Sequence, residues 1–180
     1  MKQNIEIEYK TMLDESLYNS LRKALPFDQG ALQINTYYDT LNRDLFSHSI
    51  MCRIREYDNT FELTIKIPQE KGVLELEKIL EDKDLNDPDI ERFLREYDID
   101  PSDMREVALS KTKRHLMEDQ YGVWCLDKTE FKHHTDYELE YELFEDHPLA
   151  YDHYKEKLQS YNIEYHESKP KYIRALNSKI

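Results

Sequence analysis

The chain has 180 residues, enough for one domain with a sizeable core. Its 38 acidic and 25 basic residues give a formal net charge of −13, which argues against a nucleic-acid partner, since that needs a broad basic surface. Fourteen tyrosines and only three glycines exclude a disordered chain.

Residues 4–10 alternate strictly, with Ile5, Ile7 and Tyr9 on one side and Glu6, Glu8 and Lys10 on the other, the period of a β-strand. A helix is predicted over 14–25, with Asp14 as its cap, Leu17, Leu21 and Leu25 as its stripe and Pro26 as its stop. A β-rich run over 32–40 closes in Tyr37-Tyr38-Asp39-Thr40, and 41–49 reads as irregular or briefly helical. The strand over 50–57 sets Arg53 and Arg55 against Cys52 and Ile54. After a turn at Asp58-Asn59, residues 60–67 place Phe61, Leu63, Ile65 and Ile67 opposite Glu62, Thr64 and Lys66. A hairpin loop over 68–72 leads to a strand over 73–78 that again separates Leu74 and Leu76 from Glu75 and Glu77.

Asp87-Pro88 opens a helix whose apolar face is Ile90, Phe93, Leu94 and Tyr97, and a shorter helix is predicted from Pro101 to about Val107. Strands follow on either side of Gly122, at about 108–117 and 123–128. The strand over 136–143 sets Glu138, Glu140 and Glu142 against Tyr137, Leu139, Tyr141 and Leu143. A helix opens at Pro148 with Ala150, Tyr154, Leu158 and Tyr161 aligned, and the basic tail 168–174 reads as a short helix. No repeat or linker divides the chain, so residues 1–180 are taken as a single domain. Cys52 and Cys125 are expected as buried free thiols. No apolar run approaches the roughly 20 residues of a membrane span, and no leader precedes the first strand, so a cytoplasmic protein with no membrane partner is expected.

Two arrangements are open for the charged faces. Antiparallel sheets commonly turn one face to water; alternatively, a closed barrel carries a polar interior and helices on its outside. Arg53, Arg55 and Lys66 lie on neighbouring strands, whereas carboxylates crowd the first and last strands. Like charges on adjacent strands repel unless something screens them. Carboxylates suit Mg²⁺ or Mn²⁺, and arginine forks suit phosphate oxygens.

Together these residues resemble the CYTH family, also called the triphosphate tunnel metalloenzymes. The likeness is carried by Glu6-x-Glu8-x-Lys10, Tyr37-Tyr38-Asp39-Thr40 (with Leu41 where a proline often follows), Arg53-x-Arg55, Thr64-Ile65-Lys66 and Glu138-x-Glu140, in order over nearly the whole chain. The resemblance implies an α+β, mainly antiparallel fold, a closed eight-stranded β-barrel with helices packed outside. It implies a metal-dependent hydrolase of a small-molecule triphosphate, inorganic or organic such as thiamine triphosphate, using Mg²⁺ or Mn²⁺. A class IV-type adenylate cyclase and a non-catalytic triphosphate- or polyphosphate-binding module are the alternatives, and the chain is expected as a monomer or homodimer.

By similarity, Arg53, Arg55, Lys66 and Arg114, with Lys171 and Arg174 of the tail, hold phosphate oxygens. Glu6, Glu8, Asp127, Glu138 and Glu140 hold the metal, and Glu6, Glu8 and Lys10 act at the scissile bond. The strand over 110–116 admits two registers, and Arg114 with Thr112 is taken as the inward pair over Lys111 with Lys113. Glu75 and Glu77 are expected at the periphery, and His133 and His134 on the surface.

Overall fold

The structure is a computed structural model and describes residues 1–178. Every period-two segment becomes a strand of one antiparallel sheet. These are β1 (Lys2–Glu6), β2 (Glu8–Leu13), β3 (Ala31–Asp39), β4 (Met51–Tyr57), β5 (Thr60–Pro68), β6 (Val73–Leu80), β7 (Arg105–Glu118), β8 (Gly122–Glu130) and β9 (Thr135–Leu143). The helices are α1 (Glu15–Ala24), α2 (Asp44–Ser47), α3 (Pro88–Glu96), α4 (Ala150–Ser160) and α5 (Lys171–Asn177). Asp14 caps α1, accepting from the Leu17 amide at 2.7 Å, and Asp87 caps α3, accepting from the Asp89 amide at 2.9 Å. No helix among the described residues is long and apolar enough to cross a membrane.

The strands run in the order β1-β6-β5-β4-β3-β7-β8-β9-β2, curled into a half-barrel. This corrects the expected closed eight-stranded barrel. The N-terminal segment breaks at Ile7, so that its first half pairs with β6 and its second half with β9. Strand twist prevents one straight segment from serving both neighbours along its full length. β1 and β2 are thus the two edges of the sheet, joined by the chain and not by a ladder. Beside the break, the Leu143 amide donates to the Ile7 carbonyl at 2.9 Å. Gly72 turns tightly against it with a φ of +76°, and a Cβ there would lie 2.6 Å from the Glu6 carbonyl oxygen.

The outer face of the sheet is apolar and carries the core. Under α1 and α4, Leu21, Trp124, Leu126, Leu139, Tyr141 and Tyr154 form one buried cluster. Under α3, Cys52, Ile54, Leu63, Ile65, Ile90 and Leu94 form another. Helix α5 departs from the expected outer position. Its Tyr172, Ala175 and Leu176 pack with Tyr37, Met51 and Ala108, which brings the helix to the mouth of the sheet's concave side.

The helix expected to reach Val107 is only a 3₁₀ turn, Pro101–Asp103. β7 begins at Arg105 and pairs with β3 across a bulge at Tyr37/Tyr38. Val107 and Ala108 are both buried there, a local break in alternation that hides the start of the strand from a period-two reading.

Candidate functional site

The concave face encloses a cavity of about 550 Å³ lined mostly by the inward, charged members of the alternating strands. β1 and β2 supply Glu6, Glu8 and Lys10, β4 supplies Arg53 and Arg55, and β5 supplies Glu62 and Lys66. β6 adds Glu75 and Glu77, β7 Arg114, β9 Glu140 and Glu142, and the start of α5 Lys171. The charged faces therefore converge instead of facing bulk water. Glu75 and Glu77, expected at the periphery, are on this wall, and Glu75 is buried. The signal for them was present: the β5–β6 ladder puts Glu75 beside Lys66, so both belong to one face.

The carboxylates form two groups with different charge balance. In the first, Glu6, Glu75 and Glu142 each offer an oxygen, all within 4.8 Å of one another. Among the described residues their one direct cation is Lys66, whose Nζ lies 2.9 Å from Glu6 and 3.3 Å from Glu75. Glu8 stands beside them and pairs with Lys10 at 3.4 Å. Burial raises Glu6 and Glu142 above the usual carboxylate range. Burial, with the neighbouring Glu140 and Glu6 charges, pushes Glu8 up to about 7. Burial alone would lower Lys66, but Glu6 and Glu8 outweigh it and raise the ammonium.

In the second group, Asp127, Glu138 and Glu140 lie equally close but are already neutralised. Arg114 grips Asp127 with Nε and Nη2 at 2.8 and 2.7 Å and reaches Glu140 at 3.0 Å. Lys171 Nζ touches Asp127, Glu138 and Glu140 at 2.8, 3.1 and 3.4 Å. Arg174 binds Glu138 at 2.8 Å and Asp136 at 3.3 Å. Burial opposes the charge on Asp127 and Glu140, yet Arg114 and Lys171 hold both below the usual range. Glu138 goes the other way, pushed up to about 7 by burial that Lys171 offsets only in part and Glu140 reinforces.

The structure thus brings Glu6, Glu8, Lys10, Arg53, Arg55, Lys66, Arg114, Glu140 and Lys171 onto one cavity wall. It does not bring Arg174 there; that side chain is tied to Glu138 and Asp136 behind the wall. Asp127 and Glu138 also sit behind it, in the ion-pair cluster. On β7, Thr112 is buried and Arg114 turns inward, while Lys111 and Lys113 are exposed. His133 and His134 are exposed.

Among the cations lining the cavity, Arg53 and Arg55 differ from the others. Arg53 is buried, donates to Thr64 Oγ1 at 3.1 Å and leaves its Nε without a partner. Arg55 donates Nε to Asn35 Oδ1 at 2.9 Å, and burial together with the Arg53 and Arg114 charges lowers its pKa. Guanidinium groups that line a cavity and are held by neutral partners are set up to receive an anion. Around the mouth, Phe46, Met51, Tyr172 and Ile173 add an apolar rim. Asp39, the acid of the Tyr-Tyr-Asp-Thr run, is buried away from the cavity and accepts the Thr40, Leu45 and Phe46 amides at 2.8, 3.0 and 3.0 Å, so it shapes the β3–β4 connection.

The CYTH domain family profile matches residues 4–175. The chain is similar to the Bacillus subtilis strain 168 protein named "Putative triphosphatase YjbK", at 28% identity over 187 residues, covering 99% of this chain and 98% of the other. It is similar to the crystal structure of a "putative adenylate cyclase" from Bacillus halodurans, with 26% identity, a TM-score of 0.88 and coverage of 97% and 98%. It is also similar to HpAC1 from Hippeastrum, a "putative adenylyl cyclase" with a dominant triphosphatase activity, with 26% identity, a TM-score of 0.77 and coverage of 97% and 96%.

Proposed function

From a chain that belongs to the CYTH domain family, we propose a divalent-metal-dependent triphosphatase that cleaves a phosphoanhydride bond inside the polar cavity. The observation that carries this reading is that Arg53 and Arg55, which among the described residues have only neutral protein partners, share the cavity with a group of carboxylates that outnumber their cations. The first site fits an anion and the second a hard cation. Glu6, Glu75 and Glu142 are the residues that would hold Mg²⁺ or Mn²⁺, which when bound supplies charge neutralisation to the phosphate chain. The second acidic group is a poorer fit, because Arg114, Lys171 and Arg174 already fill that role.

Arg53 and Arg55 stabilise negative charge on the transferred phosphoryl group. Glu8, with its raised pKa of about 7, is placed to accept a proton from the attacking water. The water oxygen bonds to phosphorus, the bridging P–O bond breaks, and its electron pair leaves with the shortened chain. Lys10 and Lys66 supply positive charge beside that carboxylate group. The apolar rim of Phe46, Met51, Tyr172 and Ile173 favours a substrate with an organic group, such as thiamine triphosphate, over the bare inorganic chain. The protein is further read as cytoplasmic, monomeric or homodimeric, and without a nucleic-acid partner.

The test is phosphate release from inorganic triphosphate, thiamine triphosphate and ATP, with Mg²⁺, Mn²⁺ or chelator. Metal-dependent release from one of the three is expected, and Glu8→Ala should lower it about 100-fold or more. No release from any of them would overturn the triphosphatase; cyclic nucleotide from ATP would then establish the cyclase.

A further inference from the structure

Six cations line the cavity: Lys10, Arg53, Arg55, Lys66, Arg114 and Lys171. Four are held by carboxylates. Among the described residues, Arg53 and Arg55 are held by neutral oxygens alone.

The sheet explains how Arg55 is held. The ladders place Arg55, Asn35 and Ser110 side by side on β4, β3 and β7. Asn35 is fully buried, and its amide bonds both neighbours. An arginine Nε–H only donates, so the oxygen of Asn35 must face Arg55 and its NH₂ group must face Ser110 Oγ, 3.4 Å away. Ser110 Oγ in turn lies 3.3 Å from the Tyr37 hydroxyl, and both residues are buried. This relay locks the amide in one orientation. The terminal nitrogens of Arg55 have no protein partner among the described residues. Glu62, directly across the β4–β5 ladder, takes the Tyr57 hydroxyl at 3.0 Å and makes no ion pair with Arg55.

We propose that Asn35 is a positioning residue for anion binding: it aims the Arg55 guanidinium through a neutral acceptor and thereby leaves its charge uncompensated for the ligand. The inference rests on the triphosphate reading, since it needs an anion in the cavity. An aspartate has the same shape and accepts the same Nε–H, but it adds a negative charge that competes with the ligand. A residue that only supports the fold, by donating its NH₂ group to Ser110, would change stability without a loss of affinity that depends on Arg55.

The experiment titrates inorganic triphosphate calorimetrically into wild type, Asn35→Asp, Arg55→Ala and the double variant, with KM, kcat and melting temperature measured alongside. Asn35→Asp is expected to weaken binding about tenfold, roughly the effect of one charge-assisted hydrogen bond, without lowering the melting temperature. KM should rise more than kcat falls. In the Arg55→Ala background the same substitution should cost no further affinity. Equal affinity of wild type and Asn35→Asp overturns the inference while the proposed function stands; absence of triphosphate binding by wild type overturns both. Should Asn35→Asp fail to fold, Asn35→Ala takes its place, with an expected loss of about threefold or more that vanishes without Arg55. Losses that simply add in that double variant overturn the inference.

Discussion

At the scale of single residues, Asp119, in the turn between β7 and β8, is a stabilising hub outside the cavity. Its carboxylate accepts from Trp124 Nε1 at 2.8 Å, His153 Nε2 at 2.7 Å, the Tyr121 amide at 3.1 Å and the Tyr141 hydroxyl. Burial alone would raise this acid, but the Tyr141, Trp124 and His153 bonds outweigh it and hold it at about 2. A depressed folded-state pKa stabilises above the unfolded value, and that stability is lost as pH falls through the folded one. Asp119→Asn should therefore cost about 2 kcal/mol near neutrality, a difference that shrinks between roughly pH 4 and 2 in denaturant titrations. Lys171→Met should cost about 3 kcal/mol or more, because it leaves three buried carboxylates short of a cation; a melting curve would show a drop of roughly 6–12 °C. At this scale the sequence was informative where alternation carried the residue and silent where partners come from distant elements. Arg53, Arg55 and Lys66 were readable from their faces. Asp119 was not, since Trp124, Tyr141 and His153 meet it only in three dimensions. Arg174 shows the complementary case: a basic tail residue reads the same whether it faces the cavity or, as here, bonds Asp136 and Glu138 behind it.

At the scale of elements, the alternating faces were legible almost throughout, because apolar outer and charged inner residues separate with period two. What was not legible is where one strand becomes two. Alternation passes through Ile7 unchanged, since a side chain's face does not reveal which neighbour its backbone bonds. That omission explains the expected barrel of eight strands and the observed half-barrel of nine. The β5–β6 loop depends on the same junction. Gly72→Ala would force a left-handed φ on alanine and drive its Cβ into the Glu6 backbone, at a cost of about 1–2 kcal/mol from the backbone alone. Because the displaced residue is Glu6, metal-dependent phosphate release should fall together with the urea midpoint; a lowered midpoint with undiminished release would show that the junction does not position the site.

At the scale of the whole molecule, the cavity is a reservoir of unresolved charge, lined both by arginines held through neutral partners and by crowded carboxylates. A ligand that resolves it should stabilise the entire fold. At a triphosphate concentration 100 times its Kd, the gain is about 2.7 kcal/mol, or roughly 5–10 °C in melting temperature for a domain of this size. The doubly substituted Arg53→Ala/Arg55→Ala protein should show no such rise. The lacing of the sheet at Ile7 has a consequence for how the chain is made. Glu8 pairs with Glu142, while Glu6 pairs with Val73. During synthesis the first half of the N-terminal segment finds its partner once β6 is made, but the second half waits for β9, the last strand of the sheet. Until then β2 is an unpaired edge carrying the sequence Glu8-Tyr9-Lys10, available to any other nascent strand. Such long-range pairing also makes folding slow. The two halves of one short segment thus keep different clocks, and the cavity cannot exist until the later one has run.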